Sequence, residues 1–186
     1  MASDTRHRMV AGAARLLAER GLQETSFSEV LELTGAPRGS IYHHFPDGKD
    51  QLVSEAVDLA GAHAIELINQ SEGKTAVEIT DHFIGMWRYV LTASNFHAGC
   101  SVLAVTVATD SPDLLDHAAT VFRNWRLRLA ELLEAGGLSK ADAAQFAAIL
   151  IASTEGGVVL SRAEQSIDPF ELVAAQLQKQ VRELSI

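Results

Sequence analysis

The segment from Pro37 to Phe45 places several hydrogen-bond donors on one side of a predicted helix. Ile41 and Phe45 stand at i and i+4, which gives this helix one apolar stripe. The side chains away from the stripe include no acid: Arg38, Ser40, Tyr42, His43 and His44. Phosphates accept hydrogen bonds from such groups, and the major groove of DNA, about 12 Å wide, admits one helix whose side chains reach base edges. The segment therefore predicts contact with duplex DNA.

Gly39 lies among these donors, on the exposed side of the predicted helix. Glycine is a poor helix former, about 1 kcal/mol worse than alanine in a helix interior. Its presence indicates that another molecule approaches the backbone closely at this position, so Gly39 belongs to the predicted contact surface.

The segment before it predicts a second short helix that positions these donors. Ser26 and Glu29 have the spacing of a capping box, in which the hydroxyl accepts from the N–H near Glu29 and the carboxylate reaches back to the N-cap. Gly35 permits a left-handed turn at the end of that helix. Pro37 then suits a first helical position, whereas Ala36 offers no capping side chain. The pattern predicts two helices joined by a tight turn.

Two longer helices are predicted on either side of this pair. One runs from about Asp4 to Arg20, and the other follows a Pro-Asp-Gly turn and continues to about Gln70. Apolar residues recur at helical spacing in the first: Met9, Val10, Ala13, Ala14 and Leu17. The first three helices are expected to form one small globule, and the fourth is long enough to leave it.

The run TGAPRGSIYHHF, followed by Lys49, resembles the DNA-binding signature of the TetR family of transcriptional repressors. Within it, PRGSIYHHFPDGK most resembles the LmrA/YxaF-like branch of that family. The resemblance covers Thr5 to about Leu52, with capped helix, turn and downstream lysine in order. It implies an all-α fold, with a three-helix helix-turn-helix DNA-binding domain at residues 1–48 and a helical ligand-binding and dimerisation domain at residues 49–186.

The resemblance also implies roles for individual residues. The positions that match base-reading or groove-lining residues of the family are Arg38, Ser40 and His43. The positions that match phosphate or DNA-backbone contacts are Ser26, Ser28, Tyr42 and Lys49. The expected partners are a palindromic double-stranded operator and a second copy of the chain, because two reading heads must lie about one turn of DNA, roughly 34 Å, apart.

The net charge of −9 is unevenly distributed. Residues 1–50 carry six Lys or Arg and seven Asp or Glu, whereas residues 51–186 carry nine and seventeen. A nearly neutral head on an acidic body is consistent with DNA contact at one end, since the acidic part is repelled by a polyanion. The charge distribution is compatible with DNA binding, but the prediction of DNA binding rests on the motif.

Length and composition indicate a soluble protein of the cytoplasm. The chain has 186 residues, enough for one or two small domains with a proper core. Its single cysteine, Cys100, excludes an internal disulfide and suits a reducing compartment. The N-terminus lacks the apolar region of a signal peptide, and no run of 18 uncharged apolar residues is present, so no membrane partner is expected.

The second half of the chain predicts five further helices. They run over about 75–92, 100–109, 113–135, 139–165 and from 168 to near the end. The segment CSVLAVTVAT is β-branched and favours a strand by propensity, but no partner strand exists, so a short buried helix is predicted. The last two helices would either complete a monomer core or pair with their copies as a four-helix bundle, and the operator geometry favours the dimer.

Aromatic and apolar side chains on the middle helices predict a small-molecule pocket. Such side chains with a few polar groups line most ligand sites, although each of them singly is more typical of an ordinary core and only the set favours a pocket. The predicted ligand-binding residues are Phe83, Met86, Trp87, Phe96, Cys100, Leu103, Val107, Phe122, Trp125 and Arg126. The resemblance implies an inducer here, and we expect an apolar or aromatic effector, with a cationic one as a variant.

No catalytic or cofactor motif is found in the sequence, so we expect no enzyme and no cofactor. The histidines lack the paired spacings of zinc sites, and no metal site is predicted. The sequence therefore predicts a ligand-responsive repressor that binds its operator as a dimer. Two alternatives stay open, a DNA-binding regulator without an inducer and a thiol-based sensor acting through Cys100.

Overall fold

The computed structural model describes residues 2–185 and, over that range, nine α-helices and no β-strand. The first four helices are α1 (Ala2–Arg20), α2 (Phe27–Thr34), α3 (Ser40–His44) and α4 (Lys49–Asn69). The other five are α5 (Ala76–Ala93), α6 (Ser101–Ala108), α7 (Pro112–Ala135), α8 (Lys140–Glu164) and α9 (Asp168–Leu184). The prediction of an all-α fold is confirmed.

The described residues form two compact units. Unit one contains residues 2–62 and 100–122, and unit two contains residues 63–99 and 123–185. Unit one therefore holds α1, α2, α3 and α6 with the first parts of α4 and α7, while α5, α8 and α9 belong to unit two. The predicted division of the chain into domains at residues 48 and 49 stays a prediction.

The core of unit one is built from the apolar stripes of its helices. Met9 and Leu17 of α1 are buried, as are Val30 of α2 and both anchors of the α3 segment, Ile41 and Phe45. Helix α1 packs against α2 and also against α6, which is distant in sequence. These contacts fix the position of α3 on the surface of unit one.

The β-branched segment around α6 is helical, as predicted. Val102 and Val105 are fully buried, so packing in unit one outweighs the local preference of these residues for a strand. The Sγ of Cys100 accepts a hydrogen bond from the N–H of Leu103 (3.3 Å) and thereby caps the start of α6.

Two details of the helix-turn-helix differ from the prediction. The N–H of Glu29 donates to the Ser26 hydroxyl (3.2 Å) as expected, but the Glu29 carboxylate pairs with Arg20 (2.7 Å) and not with the N-cap backbone. Helix α3 begins at Ser40 and not at Pro37. The Pro37 carbonyl accepts a bond from the N–H of Ser40 (2.9 Å), so the residues between them form a turn that leads into the helix.

Unit two packs α9 against α5 and α8. Phe146 of α8 and Phe170 and Leu177 of α9 are fully buried in its core. Gly157 gives α9 the room to approach α8, because a Cβ there would lie 3.1 Å from the ring of Phe170. The Ser161 hydroxyl accepts a bond from the N–H of Phe170 (3.1 Å) and holds the first turn of α9 against α8. The apolar side of α9 thus lies largely in the core of its own unit.

Helix α8 has one buried side and one exposed side. The exposed side carries mostly small or apolar residues: Ala144, Ala148, Ile149, Ala152, Gly156, Val159, Leu160 and Ala163. Over residues 2–185, α8 is the one helix long and apolar enough to span a membrane by length and composition, and half of its apolar window is buried inside the protein. A buried core helix passes the same test, so this is weak evidence for a membrane span.

Candidate nucleic-acid interface

Helix α3 is held on unit one by its two buried anchors, Ile41 and Phe45. The Ser40 hydroxyl donates to the Pro37 carbonyl (2.6 Å), which reinforces the turn that precedes the helix. At Gly39 a Cβ would meet no other atom within 4 Å, so this stretch of backbone borders open space. The residues between the anchors therefore face away from the core.

The predicted donors lie on this outward side. Arg38, Gly39 and His43 are exposed, and the Tyr42 side chain is 70% exposed. The ring of Tyr42 meets Phe27 of α2 edge to face, with ring centres 5.6 Å apart. This contact orients the phenol, so that the donors form one surface at α3 and its preceding turn.

Arg38 differs from the other cations of residues 1–50. Arg6 pairs with Glu55 and lies 5.4 Å from the centre of the Phe45 ring. The other paired arginines, with their partners, are Arg8 with Asp4, Arg15 with Glu19, and Arg20 with Glu29. In the part of the chain that the structure describes, Arg38 makes no ion pair or hydrogen bond. Its guanidinium therefore keeps all its donors available for a partner.

Lys49 and the serines of α2 already bind other groups of the protein. The ammonium of Lys49 donates to the Leu22 carbonyl (2.8 Å), which ties the start of α4 to the segment after α1. The hydroxyls of Ser26 and Ser28 lie 2.8 Å apart, and Ser26 also caps α2. An ammonium has three donors, so the bond to Leu22 leaves Lys49 able to bind phosphate as well.

A groove of about 510 Å³ opens between α2 and α3, and we call it the α2–α3 groove. Its lining residues are Phe27, Ser28, Leu31, Glu32, Ala36, Arg38, Ile41 and Tyr42. Three of the predicted DNA-contacting residues, Ser28, Arg38 and Tyr42, line it. Glu32 also lines the groove but is not among the predicted contact residues, although its spacing four residues after Ser28 places it on the same side of α2.

The predicted ligand-binding residues are divided between the two units. Unit two holds Phe83, Met86, Trp87, Phe96, Trp125 and Arg126, and unit one holds Cys100, Leu103, Val107 and Phe122. Phe83 and Trp125 are buried, whereas Arg126 is exposed and Val107 is 74% exposed. Within unit two, Phe83, Met86 and Trp87 lie on α5 and Phe96 lies in the loop after it, whereas Trp125 and Arg126 lie on α7.

Two polar groups in unit two are shielded from solvent. The indole N–H of Trp87 in α5 is buried and, among residues 2–185, has no hydrogen-bond acceptor. Both carboxylate oxygens of Glu155 in α8 are also shielded, and that residue is only 6% exposed. A buried indole donor and a buried acid are groups that could orient a ligand. For metal ions, the described residues contain no cluster of three potential ligands.

Two family models match the chain. Residues 9–56 match the model for bacterial regulatory proteins of the tetR family, and residues 76–176 match the model for the C-terminal domain of LmrA/YxaF-like transcriptional regulators. The first match includes the whole α2–α3 groove. The second covers α5 to α8 and half of α9.

Whole-length relatives give the same assignment. The chain is 40% identical over 179 residues to the HTH-type transcriptional regulator Rv0196 of Mycobacterium tuberculosis, covering 92% of this chain and 91% of that protein. It is 32% identical to the regulator YxaF of Bacillus subtilis over 96% of both chains. Among solved structures, a TetR transcriptional regulator from Chloroflexus aurantiacus superposes with a TM-score of 0.82 at 28% identity, over 97% of this chain and 96% of that one. A regulatory protein TetR from Rhodobacter sphaeroides shares the fold, with a TM-score of 0.83 at 21% identity over 93% and 96%.

Proposed function

This chain belongs to the TetR family of bacterial regulatory proteins and has an LmrA/YxaF-like C-terminal domain. From that premise we propose that it is a dimeric repressor, which a small molecule releases from a palindromic operator. Its family makes it a DNA-binding transcriptional regulator and not an enzyme. The dimer, the operator and the effector belong to the proposal, as does action in the cytoplasm.

The observation that carries operator binding is the exposed guanidinium of Arg38, which has no ion-pair or hydrogen-bond partner among the described residues and lies among polar neighbours. Guanine offers two acceptors in the major groove, and arginine binds both at once. We propose that the operator surface consists of Ser26, Ser28, Arg38, Gly39, Ser40, Tyr42, His43 and Lys49. In this surface Arg38, Ser40 and His43 face base edges, and the remaining side chains bind the DNA backbone.

The exposed side of α8 supports the dimer. Contiguous apolar surface exposed to water marks a contact site in a soluble protein. Small residues such as Ala152 and Gly156 allow a second helix to approach closely, and Val159 and Leu160 would then fill the contact. A two-fold interface brings the same surface of both copies together, so one apolar helix side is enough to build it.

Unit two supports a site for an apolar or aromatic effector. Apolar and aromatic surface is provided by Phe83, Met86, Trp87, Phe96 and Trp125. The buried indole N–H of Trp87 has no acceptor among the described residues, and a ligand could supply one. The other predicted ligand residues, Cys100, Leu103, Val107, Phe122 and Arg126, stay predictions of the sequence.

Release follows from linkage between the two binding events. A ligand that binds better to a conformer of low operator affinity shifts the dimer toward that conformer. The operator affinity then falls by the same factor by which DNA weakens ligand binding. No contact between ligand and DNA is required.

The test is anisotropy of a labelled duplex taken from just upstream of the gene, titrated with protein across a salt series. An unrelated duplex of equal length is the control. The proposal expects saturable binding to the first duplex with dimer stoichiometry and weak, strongly salt-dependent binding to the second. Equal weak binding to both, followed by failure to select any sequence from random DNA, would contradict sequence-specific repression.

Effector binding is tested by tryptophan fluorescence with a panel of aromatic and cationic compounds. The chain has two tryptophans, so Trp87→Phe and Trp125→Phe each leave a single reporter. A true effector quenches fluorescence and releases the operator at the same concentrations. A compound that quenches without releasing DNA is a ligand but not an inducer, and a panel with no releasing compound favours regulation without an inducer.

A further inference from the structure

The α2–α3 groove contains two opposite charges. Glu32 comes from α2 and Arg38 from the turn before α3, and they are the only charged residues among those that line the groove. Both are exposed. An acid on a surface that meets a polyanion is repelled by it, so the place of Glu32 calls for a reason.

Internal pairing does not supply that reason. Some other acids of unit one are paired, as Glu29 is with Arg20 and Glu55 is with Arg6. Over residues 2–185, neither Glu32 nor Arg38 makes an ion pair or a hydrogen bond. The pair of charges is therefore available to whatever fills the groove.

The stability of α2 does not explain the position of Glu32 either. Glu32 lies in the last turn of α2, which ends at Thr34 and is followed by Gly35 in a left-handed conformation (φ 64°). The carbonyl end of a helix carries partial negative charge, which disfavours a carboxylate in the last turn. Glu32 is thus placed against the dipole of its own helix but on the same groove as Arg38, the one arginine of unit one that pairs with no acid among the described residues.

We propose that Glu32 is a positioning residue that aims Arg38 at a base edge and makes operator recognition selective. When a duplex covers the groove and displaces water, the attraction between carboxylate and guanidinium strengthens. The planar guanidinium has five donors, so it can bind the carboxylate and still offer donors to the O6 and N7 of guanine. This inference rests on the proposed operator binding.

The carboxylate would also act against the wrong contacts. An unrestrained arginine binds any phosphate, and such contacts carry no sequence information. Glu32 repels a phosphate that enters the groove and holds the guanidinium away from the DNA backbone. Specificity then gains from a repulsive element as well as an attractive one.

The experiment is selection from a random duplex library with the full-length protein, followed by affinity measurements on the selected site with each base pair changed in turn. The variants are Glu32→Gln, Glu32→Asp and Arg38→Ala. Glu24→Gln is the matched control, because this substitution removes the same charge. Glu24 is exposed in unit one and does not line the groove. Circular dichroism melting checks that all variants fold alike.

We expect Glu32→Gln to lower discrimination at one base pair per half-site by about tenfold, the scale of a lost arginine contact. Arg38→Ala should lower it at the same base pair, and Glu32→Asp should retain part of it. Both glutamine variants should bind random DNA more tightly, because each removes one negative charge. In the Arg38→Ala background, Glu32→Gln should change base preference no further.

The inference is overturned if Glu32→Gln and Glu24→Gln give the same base preferences, or if Glu32→Gln relaxes a base pair that Arg38→Ala leaves unchanged. Failure of the proposed function gives a different result. In that case the unaltered protein itself enriches no sequence, whatever its variants do.

Discussion

The donors around α3 and the exposed side of α8 both face solvent, but they differ in chemistry. Around α3 the exposed groups are polar, and Arg38 among them has no internal partner in the described chain. On α8 the exposed groups are small or apolar, from Ala144 to Ala163. The first surface suits a hydrated, charged polymer, and the second suits a surface like itself.

This difference shows how each binding surface can be recognised without a bound partner. Polar surfaces are common in proteins, so the informative feature in unit one is an arginine left unpaired where its neighbours are paired. Apolar residues are also common on surfaces, so the informative feature in unit two is their continuity along one side of a long helix. Substitutions on the two surfaces should therefore affect different properties, dimerisation on α8 and operator recognition around α3.

The largest effect is expected on α8. Leu160→Glu places a charge in the proposed dimer contact, where burial without a partner is costly. The variant should be monomeric, and its operator affinity should fall at least about 100-fold, because two linked heads bind far better than one. Sedimentation equilibrium and DNA anisotropy measure the two effects.

A matched control tests whether position or charge is responsible. Leu160 is 50% exposed and Leu127 of α7, in the same unit, is 49% exposed. The exposed neighbours of Leu127 one turn away on α7 are polar or charged (Arg123, Asn124 and Glu131), so it is an isolated apolar residue and Leu127→Glu should leave the dimer intact. If both variants dissociate, or neither does, α8 is not a specific contact surface.

The sequence predicted the helices better than it predicted which of their sides are exposed. The lack of a partner strand was enough to assign α6 as a helix, and that prediction is confirmed. The packing of α6 against α1 depends on contacts between distant segments, which periodicity does not encode. For the same reason the predicted ligand-binding residues included Val107 and Arg126, whose side chains are exposed. From the sequence alone, Glu32 could not be told from any other solvated acid, because its place in the groove depends on how α2 and α3 pack.

The second largest effect is expected at Arg38. Arg38→Ala should weaken binding to the selected operator by about 1–3 kcal/mol, the value of a bidentate contact to guanine. Folding stability should stay within about 0.5 kcal/mol, because the side chain is exposed and makes no ion pair or hydrogen bond within residues 2–185. Anisotropy and thermal melting give the two values.

Arg15→Ala is the control for Arg38→Ala. It removes the same charge from an exposed arginine that is paired with Glu19 (2.8 Å) and lies outside the groove. Its operator affinity should fall much less than that of Arg38→Ala. Equal losses would mean that unit one attracts DNA by net charge and that Arg38 reads no base.

Lys49 should show a smaller and mixed effect. Lys49→Ala removes the bond to the Leu22 carbonyl, which should cost about 1 kcal/mol of folding stability. It should also weaken all DNA sequences alike and reduce the salt slope by about one per subunit, as expected for one phosphate contact. Lys74→Ala, an exposed lysine in unit two, is the control for charge. An unchanged salt slope would leave Lys49 a purely structural role.

The smallest effect is expected in unit two, where Arg88 of α5 and Glu171 of α9 form a bidentate pair with Nη2 and Oε2 2.9 Å apart. The hydrogen bonds from Arg88 lower the pKa of the Glu171 carboxyl below its ordinary value. Because this pKa is lower in the folded than in the unfolded protein, the pair stabilises the fold above the unfolded pKa, about 4.3, and that contribution is lost as the pH falls toward the folded pKa. Both side chains are more than a third exposed, so the contribution at neutral pH should be at most about 1 kcal/mol.

Glu171→Gln should therefore lower the melting temperature slightly at pH 7 and make no difference well below pH 4. The dimer and the operator affinity should be unchanged at pH 7, because the pair joins two helices of unit two and belongs to neither binding surface. Melting curves across pH, with the two proteins side by side, measure this. A Glu171→Gln variant that dissociates would place this end of α9 in the dimer contact, next to the exposed side chain of Leu172, and the interface would then extend beyond α8.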